Sequence, residues 1–163
     1  MGTIVVGLGN PLMGDDGIGL AALERLRETR HVSDAVELVD GGTWGMNLLP
    51  LIEDAERIIF LDAIDAGLPP GTLVVLERDE LPRYFAHKLS PHQIDLREVL
   101  ALAELRDTLP RDVVAIGIQP ALIELRTDLS PLAWDALDSA VAAAAARLQA
   151  WGLPAPAREI VHA

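Results

Sequence analysis

Residues 57–64 read RIIFLDAI, apolar everywhere except at Arg57 and Asp62. As a strand this segment has no face to give to water, so it must be covered on both sides, as strands of parallel sheets are. Residues 3–8 (TIVVGL) have the same character and form the first strand. Around them the period changes. Residues 16–30 carry Ile18, Leu20 to Leu23 and Leu26 at helical spacing, and residues 44–55 do the same with Met46, Leu48, Leu49 and Ile52. A second short strand falls at 36–39 and a fifth at 113–118. The alternation breaks once: Asp65-Ala66-Gly67-Leu68-Pro69-Pro70-Gly71 is a turn that runs straight into a fourth strand at 72–77. With no crossover helix between them, that strand is expected to run antiparallel to the rest.

Two helix starts are signalled by their own chemistry. Ser90-Pro91-His92-Gln93 offers a cap residue, proline at the first helical position and a capping-box glutamine, opening a helix that continues through Leu105. Ser130-Pro131 opens the last helix, which the alanines at 140–146 carry to about Trp151. The expected fold is α/β, a three-layer α/β/α sandwich. Its 163 residues suit one domain, placed at 1–152, with 153–163 expected to be a flexible C-terminal tail after Gly152. Half the residues are apolar, enough at this length to bury roughly 70% of the unfolded surface.

Composition removes several kinds of chemistry. There is no cysteine, hence no disulfide framework, thiolate zinc site, iron–sulfur cluster or Cys nucleophile. A formal net charge of −12 repels phosphate backbones, so no nucleic-acid partner is expected. The longest uncharged apolar run, 140–146, is far short of the roughly 18 residues of a membrane span, so no membrane insertion is expected. The N-terminus enters the first strand without a basic segment, so no signal peptide is expected and the expected location is cytoplasmic.

The first loop, Gly7-Leu8-Gly9-Asn10-Pro11-Leu12-Met13-Gly14-Asp15-Asp16-Gly17, is the most unusual segment. It suggests a dinucleotide-binding turn, with Asp40 ending the second strand as a ribose ligand. The fingerprint fails at its third glycine, which is Leu12, and two carboxylates occupy the helix start where a pyrophosphate needs free N–H groups. One of Asp15 and Asp16, read as Asp15, caps the helix; the other is left facing the crevice above the first strand. Asp62 holds the matching place on the third strand, where its plain role would be a turn acid. His92 stands in the first turn of its helix, whose dipole favours a neutral, metal-competent imidazole, though a lone histidine is more often structural. If the first and third strands are neighbours with the second beyond the first, Asp16, Asp62 and His92 all reach the switch point. They would make an open oxygen–nitrogen site suited to Zn²⁺, Ni²⁺ or Mn²⁺.

Five motifs in order resemble the hydrogenase maturation endopeptidases: GLGNPLMGDDGIG (7–19), VDGGT (39–43), LDAIDAG (61–67), SPHQIDLREVL (90–100) and GIQP (117–120), followed by the LSP that opens the last helix. The resemblance extends to Trp151. It implies a mixed five-stranded sheet of order 2-1-3-5-4 with strand 4 antiparallel, in a phosphorylase/hydrolase-like fold. It also implies an endopeptidase that trims the C-terminal extension of a nickel–iron hydrogenase large-subunit precursor after nickel insertion. Asp16, Asp62 and His92 become its metal-binding and catalytic residues, and Asp40, Gly41, Gly42 and Thr43 its substrate-binding turn. The implied cofactor is nickel supplied by the precursor, or another divalent metal such as zinc in isolation. Arg126 departs from the small residue expected after Ile-Glu-Leu. Two mechanisms stay open: metal-assisted hydrolysis, and an aspartate acting as general base for water.

Three other readings compete. Peptidyl-tRNA hydrolases also open with a strand and GLGNP, but need a histidine soon after it and a basic groove, and here no histidine precedes His31. A metal-binding accessory protein that inspects the hydrogenase subunit without cutting it would share every motif. A nucleotide-binding domain would be stabilised by nucleotide.

Overall fold

The computed structural model describes residues 2–87 and 89–159. Strand β1 (Thr3–Leu8) leads through a 3-10 turn at Gly14–Gly17 into α1 (Ile18–Thr29). Strand β2 (Val36–Gly42) leads through a 3-10 turn at Gly45–Leu48 into α2 (Leu49–Asp54). Strand β3 (Arg57–Ala63) is followed by β4 (Leu73–Glu77), a 3-10 turn at Arg78–Glu80 and the short α3 (Leu81–Tyr84). Helix α4 (Pro91–Leu105), β5 (Asp112–Ile118) and α5 (Pro131–Ala150) complete the order.

The strands form one sheet of order β2-β1-β3-β5-β4. Strand β4 is antiparallel to β5, and every other pair is parallel, as the missing crossover implied. Strand β3 lies between β1 and β5 and is buried from Ile58 to Ala63. Its side chains alternate between two cores. Ile58, Phe60 and Ile64 join α2, α3 and α4 on one face; Ile59, Leu61 and Ala63 join α1 and α5 on the other. Asp62 shares the parity of Ile58 and Phe60, so it emerges on the α4 side at the carboxyl end of the sheet.

Helix α1 sits unusually close to the strands. A Cβ on Gly19 would lie 2.1 Å from the Leu61 carbonyl oxygen and 2.3 Å from that of Leu8, so only hydrogen fits there. That contact brings the start of α1, and the turn before it, directly over the ends of β1 and β3.

Several local expectations shift. Helix α1 begins at Ile18 rather than residue 16, leaving both aspartates in the preceding 3-10 turn. The helix expected over 44–55 divides, with Gly45 at a φ of +59° at its start and Pro50 beginning a new helical turn. Helix α3 carries no period of its own in the sequence. The segment after Gly152 lies against the end of α1: the His31 N–H donates to the Pro156 carbonyl, the Arg158 N–H donates to the Thr29 carbonyl, and Ala155 is buried. Residues 160–163 of the expected tail lie outside the described residues. No helix among the described residues is long and apolar enough to cross a membrane.

Candidate functional site

Three elements deliver the site. The 3-10 turn after β1 carries Asp16, the end of β3 carries Asp62, and the first turn of α4 carries His92. All three side chains are buried, with residue exposures of 2%, 1% and 5%. The turn can pack this tightly because Gly9 has a φ of +127° and passes where a Cβ would fall 1.9 Å from the Asp16 carbonyl oxygen. Asn10 then donates its backbone N–H to Asp16 Oδ2 at 3.1 Å.

His92 lies between the two carboxylates. Its Nδ1 is 3.2 Å from Asp16 Oδ2 and 2.7 Å from Ser90 Oγ. Its Nε2 is 3.1 Å and 3.2 Å from the two oxygens of Asp62. Asp62 Oδ1 also accepts from the Ala63 N–H at 2.8 Å, while Oδ2 accepts from the Tyr84 hydroxyl and from Gln93 Nε2 at 3.0 Å. Burial pushes the imidazole pKa down, but Asp62, and with it Asp16, outweighs this and lifts it to about 10. The helix-dipole expectation of a neutral imidazole is thus corrected: with a carboxylate against each ring nitrogen, the protonated ring is favoured. Tyr84 is driven well above its ordinary value, first by burial and then by the Asp62 charge.

One atom stands out. Asp16 Oδ1 is the only buried side-chain oxygen or nitrogen among the described residues without a hydrogen-bond partner. Such an atom is costly unless something else completes it. Asp16, Asp62 and His92 each offer one donor atom, all within 4.8 Å of one another, and no other such cluster occurs among the described residues. Two carboxylates and one imidazole are a donor set for a borderline divalent ion, and an orphaned carboxylate oxygen fits that role.

Asp15 behaves differently and corrects its reading as a helix cap. Its carboxylate accepts from the backbone N–H groups of Ala121, Leu122 and Ser130 and from the Ser130 hydroxyl, at 2.7–3.1 Å. It thereby ties the loop between β5 and α5 to the first loop, and α1 has no side-chain cap. Burial raises the Asp15 pKa, yet these hydrogen bonds prevail and hold it below the usual carboxylate value. The turn Asp40-Gly41-Gly42-Thr43 lies at the same carboxyl end of the sheet: the Gly42 carbonyl accepts from the Gly9 N–H at 3.0 Å, and Asp40 and Thr43 are exposed. Gly45, just beyond, packs against Asp95 of α4, one turn after His92. Sequence reading missed Tyr84 altogether and saw in Gln93 only a cap. That Tyr84 is the chain's sole tyrosine, in a segment without apolar period, was the one available hint.

Comparison with known proteins gives a consistent result. Residues 20–147 match the profile of a family described as hydrogenase maturation protease, a span that holds Asp62 and His92. The hydrogenase expression/formation protein HupD of Rhodobacter capsulatus is 41% identical over 152 residues, covering 92% of this chain and 72% of that protein. The hydrogenase 2 maturation protease of Escherichia coli K12 is 34% identical over 163 residues, 99% of each chain. Among solved structures, the hydrogenase maturating endopeptidase HybD from Escherichia coli superposes with a TM-score of 0.90 at 33% identity, over 97% of this chain and 98% of that one. The [NiFe] hydrogenase maturation protease HybD from Thermococcus kodakarensis gives 0.71 at 30% identity, over 88% and 97%.

Proposed function

The chain belongs to the hydrogenase maturation proteases, and from that premise we propose that it removes the C-terminal extension of a nickel–iron hydrogenase large-subunit precursor, in the cytoplasm, once nickel is in place. It is a hydrolase of peptide bonds. The observation that carries the finer reading is the buried Asp16–Asp62–His92 cluster with its partnerless Asp16 oxygen. In this reading the nickel belongs to the substrate, and the three side chains meet it where the precursor presents it. Asp16, Asp62 and His92 would hold such an ion, and the chemistry it would supply is polarisation of the scissile carbonyl.

The chain's own groups do the rest. Asp16 offers the free oxygen that greets the incoming cation. Asp62 is locked by Ala63, Tyr84 and Gln93 and keeps its orientation as the charge arrives. His92 holds its proton between the two carboxylates until a cation replaces it. A precursor without nickel brings nothing to displace that proton, which makes occupancy a condition of cutting. The exposed Leu12, Trp44, Met46, Ile94 and Leu122 stand on the loops and first helical turn at this same end of the sheet, and an apolar rim of this kind suits a protein substrate. The turn at Asp40–Thr43, exposed beside them, receives the precursor in this reading.

Mass spectrometry of the precursor, incubated with this chain in nickel-loaded and nickel-free form, tests the proposal. Loss of a C-terminal peptide from the loaded form alone, abolished by His92→Ala, is the expected result. Binding without cleavage would favour an inspecting accessory protein, and equal cleavage of both forms would remove the nickel condition.

A further inference from the structure

The geometry points to Gln93 as a positioning residue that fixes His92 against Asp62, an inference that rests on the metal-receiving role just proposed for those two side chains. Gln93 is the third residue of α4, and its amide makes three hydrogen bonds that link two separate elements. Its Oε1 accepts from the Ser90 N–H at 3.1 Å, closing the cap of the helix that carries His92. Its Nε2 donates to Asp62 Oδ2 at 3.0 Å and to the Ala63 carbonyl at 2.7 Å, both at the end of β3. The orientation of the amide is dictated, because the strand side presents only acceptors and the helix side only a donor.

A capping box needs only the acceptor. Glutamate would close it equally well, and its charge would favour the helix N-terminus. Glutamate would also put an acceptor against Asp62 Oδ2 and the Ala63 carbonyl. The amide alone serves both sides, so glutamine here does more than cap. Together with the Tyr84 hydroxyl it supplies two donors to Oδ2 of Asp62, while Oδ1 takes the Ala63 N–H, and the carboxylate is held with both oxygens facing the imidazole. It also sets the spacing between α4 and β3 at the point where the two candidate ligands meet. Residues that orient a metal ligand in this way affect ion affinity without touching the ion.

The test is calorimetric titration of Ni²⁺ onto the full chain and onto Gln93→Met and Gln93→Glu, with melting temperatures measured alongside. Both variants are expected to fold but to melt below the unaltered chain, Gln93→Glu because its carboxylate would face Asp62 Oδ2 and the Ala63 carbonyl, while Ni²⁺ affinity falls roughly 10- to 100-fold. The added charge of Gln93→Glu would by itself tighten cation binding, so weaker binding there reports lost alignment. With precursor, kcat is expected to fall and KM to hold, since no surface contact changes. If the unaltered chain binds Ni²⁺ and the folded variants bind within about twofold of it, Gln93 is only a cap and the inference fails. If the unaltered chain binds none, the metal reading of Asp16, Asp62 and His92 falls, and this inference with it. Should one variant not fold, the other decides.

Discussion

Asp15 and Asp16 are neighbours in sequence, equally buried, and opposite in kind. Asp15 accepts four hydrogen bonds from the β5–α5 loop and from Ser130, so its charge is answered entirely by the protein. Asp16 has one oxygen answered by Asn10 and His92 and one by nothing. The first corner spends its carboxylate on holding two loops together; the second leaves it unfinished beside an imidazole and another carboxylate. Burial alone does not separate a structural acid from a chemical one. Unmet hydrogen-bonding capacity does.

The sharpest way to break this comparison is to neutralise each acid in turn. Asp16→Asn is expected to lower cleavage of the nickel-loaded precursor by about 1,000-fold, the scale of a lost charge contact worth several kcal/mol in metal-assisted hydrolysis. Its melting temperature should also fall, since the buried pairing of Asp16 with protonated His92 is broken. Peptide release followed by mass spectrometry, with calorimetric melting, reads both quantities. Asp15→Asn should cost stability without costing the chemistry. An amide nitrogen would face donors, costing about 2–4 kcal/mol of stability by denaturant titration, while cleavage per folded molecule persists. If Asp15→Asn abolished cleavage in fully folded protein, the division between the two acids would be wrong.

A smaller effect distinguishes them by pH. The Asp15 pKa is lowered on folding, so its contribution is complete above the unfolded value of about 4 and is lost as pH falls through the lower folded value. His92 is raised to about 10, so its contribution is complete below about pH 6.5 and is lost as pH rises towards 10. Unfolding free energy should therefore decline across that alkaline window by up to about 1.4 kcal/mol per pH unit, a slope that His92→Gln removes. The smallest test uses the sole tyrosine. Buried against Asp62, Tyr84 should show no tyrosinate absorbance at pH 10 to 11 until the chain unfolds; ordinary ionisation near pH 10 would mean that it is not closed over Asp62.

What the sequence disclosed follows the range of the interactions involved. The sheet was legible because apolar runs such as residues 57–64 state their own burial, and the absent helix before β4 states its direction. Asp62 was legible for the same reason, as the one charge within a strand with no wet face, Arg57 standing only at its start. The role of Asp15 was not, because its partners stand more than 100 residues away, and within its own loop an aspartate before a helix resembles a cap. Tyr84 and the second function of Gln93 were hidden likewise: a hydroxyl and an amide acquire those roles only when α3 and α4 dock on the end of β3. The raised pKa of His92 is also a tertiary property, since one carboxylate comes from each of two other segments.

The most direct test of the metal-receiving role is titration of Ni²⁺ onto the unaltered chain near pH 7, with released protons counted by calorimetry in buffers of different ionisation enthalpy. With the His92 pKa raised by Asp62 and Asp16, coordination of an ion by its imidazole near pH 7 displaces a proton. Uptake of one ion with release of one proton, both lost in His92→Ala, is the expected result. Uptake that releases no proton and survives His92→Ala would place any bound nickel elsewhere and contradict the role given to these three side chains.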